Sequence, residues 1–114
     1  MQEILEQLNL VAGIKGSMVV TRDGVVVSEA LGPDLDSSTV AAVSSHMIQV
    51  AGRSLAVLER GMFERFTLTS AHGRMVFVDL DVGYLVVITK MEMKLNQLLI
   101  EVESAARRIR PKKQ

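Results

Sequence analysis

Few side chains in this 114-residue sequence have the types and spacing that acid–base or metal chemistry requires. Neither His46 nor His72 has a second histidine or a glutamate three or four residues away, the spacing that puts two metal ligands on one helix face. Asp79 and Asp81 share one strand face, although Asp81 begins a turn, where aspartate is common for conformational reasons. Cysteine is absent, which excludes thiol nucleophiles, disulfides and cysteine-ligated metals. We therefore expect no catalytic residue, no metal site and no cofactor.

Arginine is the remaining side chain with a chemical use, because a guanidinium supplied to another enzyme can neutralise the charge that develops on phosphate during hydrolysis. The chain lacks the G-x-x-x-x-G-K-[ST] phosphate loop, so it is not expected to hydrolyse nucleotides itself. Nothing in the sequence separates a functional arginine from an ordinary solvated one. Four arginines that we expect to be exposed are weak candidates for binding a partner: Arg53, Arg60, Arg65 and Arg74.

Composition excludes further classes of function. Thirteen basic residues balance thirteen acidic ones, so the positive charge needed to coat a nucleic-acid backbone is missing. Aromatic residues make up 4% of the chain, too few to build stacking platforms for bases or flat cofactors. The apolar runs are far shorter than a membrane span, and the first residues are acidic, unlike a secretory signal. We expect a cytoplasmic protein with a single domain, residues 1–114, that binds rather than catalyses.

The C-terminal segment is basic, with Arg107, Arg108, Arg110, Lys112 and Lys113 among the last eight residues. These cations can dock an acidic partner or an anionic lipid. They can equally be solvated charges that complement the negative end of a helix dipole. The second interpretation is the favoured one, because basic residues are common in the last turn of helices.

Hydropathy periodicity predicts the element order α-β-β-α-β-β-β-α. An opening helix is followed by a hairpin that turns at Asp23-Gly24, the strongest short-range hairpin signal. Short connections make neighbouring strands antiparallel, and strands that are apolar on both faces need a helix layer on each side. We therefore predict an α/β (α+β) fold, a five-stranded antiparallel sheet with the terminal helices on one face and the long central helix on the other. The predicted strands are 17–22, 25–30, 66–69, 75–78 and 84–88, and the later helices are 37–60 and 92–110.

The predicted long helix has more apolar surface than one sheet face can cover. Apolar and small side chains fill about 200° of its circumference over residues 40–60, whereas packing on one sheet needs about 100°. Either neighbouring loops or a deeply seated position of the helix account for the remaining width, or a second copy of the chain covers it, and the second copy is favoured. One edge of the helix has the 4-3-4-3 spacing of a helix-packing seam: Val43, Met47, Val50, Ser54 and Val57.

The predicted strand 66–69 supports the same expectation. It alternates apolar and polar residues, which is typical of an edge strand or of a strand with one solvated face. An edge strand without charges or proline pairs readily with another chain unless a partner already completes the ladder. We therefore predict a homodimer whose interface combines the helix seam with the residues of this strand: Phe66, Thr67, Leu68 and Thr69.

The sequence resembles the roadblock family, which is named for a dynein light chain and includes bacterial and archaeal regulators of Ras-like GTPases. The resemblance covers nearly the whole chain. It rests on the opening helix, the Asp-capped long helix, the three strands after it, and the hairpin Val19-Val20-Thr21-Arg22-Asp23-Gly24-Val25-Val26. It implies a profilin-like/roadblock fold and a homodimer joined through the long helix and third strand into a ten-stranded sheet. It also implies a platform that binds small GTPases or motor and scaffold subunits.

Three functions stay open at this point. The leading hypothesis is a non-catalytic homodimeric platform that binds and regulates a Ras-like small GTPase. The alternative is a structural adaptor of a motor or signalling complex, without effect on nucleotide turnover. A small-molecule sensor is the least favoured, because aliphatic side chains fill the expected interior and few polar groups remain to orient a ligand.

Overall fold

The computed structural model describes residues 1–111, and the predicted tail residues Lys112 and Lys113 lie outside this range. Helices and strands follow one another in the predicted order. The elements are α1 Gln2–Asn9, β1 Ile14–Val20, β2 Val26–Leu31, α2 Ser37–Val57, β3 Arg65–Ser70, β4 Gly73–Asp79, β5 Tyr84–Thr89 and α3 Leu95–Ile109. No helix within residues 1–111 is long and apolar enough to cross a membrane.

The five strands form one sheet in the order β2-β1-β5-β4-β3, and every neighbouring pair is antiparallel. The predicted fold class is therefore confirmed. The register places Val86 of β5 between Met18 of β1 and Phe77 of β4, and Phe77 is opposite Phe66 of β3. Because β2 and β3 each have a single neighbour, they are the two edges of the sheet.

Each face of the sheet has its own apolar core. Helices α1 and α3 cover one face, where Leu5, Leu98 and Val102 belong to one buried cluster with apolar residues of β1, β4 and β5. Helix α2 covers the other face, where Val40 and Ile48 are buried against the sheet. Strands β4 and β5 are buried on both sides, as their nearly continuous apolar runs predict.

Helix α2 ends earlier than predicted. Its last turn closes with hydrogen bonds from the amide of Glu59 to the carbonyl of Ala56 and from Arg60 to Leu55, the pattern of a Schellman motif. Glu59 adopts the left-handed conformation, φ 54°, that glycine usually supplies at this position. The helix therefore ends at Val57 rather than at residue 60, because Glu59 turns the chain before Gly61 does.

The last helix also differs from its prediction, since it begins at Leu95 rather than at residue 92. Met93 is buried in the preceding loop and packs beside Gly13, whose missing side chain leaves room for it. Met91, before the helix, and Leu95, in its first turn, are each 38% exposed. The buried side of the helix is formed by Leu98, Val102 and Ala106.

Candidate functional site

The start of α2 is fixed by the Asp36 side chain. Its carboxylate accepts hydrogen bonds from the hydroxyls of Ser38 and Thr39 and from the backbone amide of Thr39 at 2.9 Å. These bonds favour the ionised form and hold the pKa of the Asp36 carboxyl below its ordinary value, the hydroxyl of Ser38 contributing most. The cap satisfies a first-turn amide, as its sequence predicts, and sets where the rest of the helix lies.

The predicted seam of α2 lies along one flank of the helix. The side of the helix that faces the sheet is centred on Val40, Ser44 and Ile48, all buried. Helix geometry places Val43, Met47, Val50, Ser54 and Val57 on a flank adjacent to that side. The sheet covers this flank only in part: Met47 is half-buried against the core, whereas Val43 is 44% exposed and Val57 is 82% exposed. Fully burying an exposed valine is worth about 1.5–3 kcal/mol, so a partner that covered this flank would gain most of that at Val57 and less at the less exposed Val43.

The opposite flank of α2 packs against the turn between β1 and β2. A side chain added at Gly24 would meet the hydroxyl oxygen of Ser45 at 2.6 Å, so helix and turn are in close contact there. Since Ser45 and Val43 lie about 160° apart around the helix, the seam flank points away from this turn. The fold thus contacts one flank of α2 at Ser45 and leaves Val43 and Val57 of the other flank exposed.

The sheet has an uncovered apolar cleft on the same face as α2. Leu68 of β3 is opposite Met75 of β4, and Met75 is opposite Ile88 of β5. The three side chains line a cleft of about 360 Å³ with Lys15 and His72 at its rim. Leu68 is 39% exposed. The exposed flank of α2 and this cleft therefore form two apolar areas on one face of the sheet.

The two sheet edges are not protected in the same way. On β2, the side-chain amide of Gln2 donates to the carbonyl of Glu29 at 2.8 Å, and the amide of Asn9 donates to the carbonyl of Ala30. Within residues 1–111, no side chain makes such a bond to the backbone of β3. Because an unpaired row of backbone groups is a template for strand addition, β3 is the more accessible of the two edges.

The four candidate arginines lie in different surroundings. Arg53 and Arg60 are exposed, on and just after α2. Arg65, the first residue of β3, has its Nη1 atom 3.9 Å from a carboxylate oxygen of Glu103 in α3. The prediction that Arg74 is exposed is wrong. Its Nη1 atom donates to the carbonyl of Met93 at 2.5 Å and its Nε atom is buried, so it holds the loop before α3.

Sequence reasoning missed a polar cluster at the end of the sheet. The guanidinium of Arg22 donates to the hydroxyl of Tyr84 at 2.9 Å, to the carboxylate of Asp79 at 3.1 Å and to the carbonyl of Asp81 at 2.8 Å. Asp79 also accepts from the amide of Asp81, which adopts φ 70° in the turn. Asp81 therefore has the turn role that its sequence predicts. The Arg-Asp-Gly hairpin marks Arg22 in the sequence, but the partners of Arg22 are about sixty residues away, so local patterns do not reveal the cluster.

The remaining polar side chains do not converge. His46 and His72 are both exposed. Within residues 1–111, no group of three or more histidines and carboxylates is arranged to hold a metal ion. The described clefts are open at the surface, and one of about 470 Å³ lies at the end of α2 over Phe63 and Tyr84.

Comparison with known families identifies the fold. A family model described as "Roadblock/LC7 domain" matches residues 1–89. The chain is 36% identical over 107 residues to the uncharacterized protein MJ1340 of Methanocaldococcus jannaschii, covering 94% of both chains. It is also 36% identical over 107 residues to the uncharacterized protein MJ0310 of the same organism, again covering 94% of both.

Solved structures share the architecture at low sequence identity. The structure of Myxococcus xanthus MglB matches with a TM-score of 0.84 and 17% identity, covering 93% of this chain and 88% of that one. A Roadblock/LC7 domain from Streptomyces avermitilis matches with a TM-score of 0.81 and 16% identity, covering 96% and 93%. Profilin II of Acanthamoeba castellanii matches with a TM-score of 0.67 and 11% identity, covering 94% of each chain. At these identities the likeness concerns the fold.

Proposed function

The chain belongs to the Roadblock/LC7 domain family, and we propose that it acts as a non-catalytic homodimeric platform that binds and regulates a Ras-like small GTPase in the cytoplasm. The observation that carries this proposal is that the exposed apolar flank of α2 and the cleft beside the unprotected edge β3 lie on the same face of the sheet. A second copy related by a two-fold axis would use both at once.

The exposed apolar flank of α2 and the unpaired backbone edge of β3 both favour a homodimer. Pairing β3 with β3 of a second copy would supply partners for the exposed backbone groups and join two sheets into one of ten strands. The same rotation would bring the two α2 helices to one face of the joined sheet. There the Val43–Val57 flank of each copy would meet apolar surface, either the other α2 or the cleft at Leu68 and Met75.

Membership of the family and the exposed arginines both favour a small GTPase as the partner. Roadblock-family members include regulators of Ras-like GTPases, as the sequence resemblance implies. Arg53 and Arg60 stay exposed on α2 and beside it, available to an acidic or phosphate-bearing partner. We expect the platform to act by repositioning catalytic groups of the GTPase. Arg65 lies on the face of the sheet opposite α2, beside Glu103 of α3, and Arg74 is engaged by the carbonyl of Met93, so neither lies with Arg53 and Arg60.

The proposal is tested with the purified chain and the small GTPases of its source organism. Each GTPase is loaded with GDP or with a non-hydrolysable GTP analogue, and binding is measured by calorimetry. Single-turnover GTP hydrolysis is then followed with and without the chain. We expect nucleotide-dependent binding of at least about tenfold preference and a changed hydrolysis rate. Binding that ignores the nucleotide, with unchanged turnover, would refute regulation and favour the structural adaptor of a motor or scaffold assembly.

Alanine variants of the arginines test the mode of action. If the GTPase supplies its own catalytic groups, Arg53→Ala, Arg60→Ala, Arg65→Ala and Arg74→Ala should each lower the stimulated rate by less than about tenfold. A loss above about 100-fold from one variant with intact binding would instead assign an inserted arginine. The variant Gln49→Ala, also exposed on α2, is the control for unspecific effects of a surface change.

A further inference from the structure

A strip of the sheet is left uncovered on the face opposite α2. On that face α3 buries Val76 and Val78 of β4, but it does not reach across β3. Thr67 of β3 is half-buried and Thr69 is exposed. The β3 edge therefore carries a short polar floor beside α3 with no helix above it.

The flank of α3 that borders this strip is amphipathic. Arg108 points the other way, toward α1, where it donates to the side-chain oxygen of Gln7 at 2.6 Å. Toward β3, a cleft of about 430 Å³ lies between strand and helix. Ile100 is 68% exposed, an unusual position for an isoleucine on a helix that packs on a sheet. The cleft is lined by Arg65, Leu99, Ile100, Glu103 and Arg107.

In the proposed homodimer, on which this inference rests, the two strips join into a trough between the two α3 helices. Pairing β3 with its symmetry copy puts both α3 helices on one face, over β4 and β5 of each copy. Strands are about 4.8 Å apart, so the two α3 axes would be about 14–24 Å apart. Packed helix axes lie about 8–10 Å apart, so the space between the two α3 helices has the width of one further helix.

We propose that the dimer binds a single amphipathic, acidic helix of a partner protein in this trough, on the face opposite α2. The apolar stripe of that helix contacts Leu99 and Ile100 of both copies, and its carboxylates pair with Arg65 and Arg107. The trough favours an acidic helix because the carboxylate of Glu103 lies between two cations, 3.9 Å from Arg65 and 3.6 Å from Arg110. Each copy therefore adds net positive charge to the trough. One monomer supplies only one wall, so the site is incomplete without the second copy.

The test uses a fluorescein-labelled synthetic helix of about 18 residues, long enough to match the length of α3, with a leucine stripe flanked by glutamates. Two matched peptides replace the glutamates by lysines or the leucines by serines. Fluorescence anisotropy against the full chain gives affinity and stoichiometry, and sedimentation velocity of each sample gives the oligomeric state. We expect saturable binding of the acidic leucine peptide below about 100 µM, one per dimer, and at least about tenfold weaker binding of both comparison peptides.

Variants on the exposed flank of α3 locate the peptide. Ile100→Glu and Arg107→Glu change exposed side chains, and we expect them to weaken peptide binding at least about tenfold and fivefold, respectively, with the dimer intact. Gln49→Glu on α2 adds the same charge as Ile100→Glu on the other face and should leave the affinity unchanged.

The outcomes separate this inference from the proposed function. Three results would refute the trough as a binding site without affecting the homodimer. They are a dimer that does not bind the acidic peptide, equal binding of the lysine peptide, and peptide binding that Ile100→Glu does not weaken. A chain that sediments as a monomer would overturn both.

Discussion

At the residue scale, Arg22 connects parts of the fold that are distant in sequence. Its guanidinium joins the β1–β2 turn to the β4–β5 turn through Tyr84, Asp79 and the backbone of Asp81, and it lies 5.3 Å from the centre of the Tyr84 ring. An exposed ion pair alone contributes little, since solvent screens it. The three hydrogen bonds and the ring contact of Arg22 stabilise the fold more than a lone exposed ion pair does, because one planar guanidinium makes all of them in a single orientation.

Replacing Arg22 by alanine should lower the free energy of unfolding by about 1–2 kcal/mol, because it removes hydrogen bonds to a carboxylate and a phenol. Arg22→Lys should recover little of the loss, since one ammonium cannot reach all three acceptors. Urea unfolding monitored by circular dichroism measures both. Arg53→Ala, an exposed arginine on α2, should change stability by less than about 0.5 kcal/mol. Equal effects of Arg22→Ala and Arg53→Ala would contradict the structural role of the cluster.

Asp36 makes the stability of the start of α2 dependent on pH. Its pKa is lowered in the folded chain, so the ionised carboxylate stabilises the fold above the ordinary aspartate pKa. That contribution is lost as the pH falls through the lowered value. Asp36→Ala should therefore reduce the melting temperature by a few degrees at neutral pH, and the difference from the wild type should shrink below about pH 4. Calorimetric scans from neutral to acidic pH measure this. Asp36→Asn, an uncharged cap, is the control, and a pH-independent gap for Asp36→Ala would contradict it.

At the element scale, two glycines show how the same substitution can act in opposite directions. Gly52 lies inside α2 and nothing within 4 Å would meet an added methyl group. Gly83 lies in the turn before β5, where an added methyl group would overlap the backbone carbonyl of Val20. Backbone cannot move aside as a flexible side chain can, so the second change must displace a strand.

Gly52→Ala should raise the free energy of unfolding by about 0.5–1 kcal/mol, because alanine loses less backbone entropy in a helix. Gly83→Ala should lower it by more than about 2 kcal/mol, because the turn must shift away from β1. Chemical denaturation of the two variants side by side measures the difference. If both changes were neutral, the close approach of the turn to β1 would not be a feature of the folded chain.

At the scale of the whole molecule, the proposed homodimer rests on the apolar surface of α2 and the β3 edge. The double variant Val43→Glu/Val57→Glu adds charges to exposed positions of the seam, so the monomer should keep its fold. We expect it to sediment as a monomer at concentrations where the wild type is a dimer, because each buried carboxylate in the interface would lack a partner. Gln49→Glu, on another side of α2, should leave the dimer intact. Dissociation by both variants, or by neither, would argue against the seam as the interface.

Much of the fold was predictable because its signals are local. The hairpin at Asp23-Gly24, the cap at Asp36 and the buried strands β4 and β5 each depend on residues a few positions apart, and all three agree with the structure. Boundaries were less certain, since Glu59 ends α2 in a conformation that favours glycine. The exposure of Arg74 could not be predicted, because the carbonyl it binds belongs to a loop nineteen residues away.

The sequence by itself determined the element order, the excess apolar width of α2 and the lack of any thiol, because periodicity and residue type are properties of short segments. Only the tertiary structure decided which flank of α2 stays exposed, since that depends on the contact between Ser45 and Gly24. It likewise decided that side chains of α1 protect β2 whereas β3 stays accessible. Such differences arise from contacts between distant segments, which the order of strands in the sheet creates.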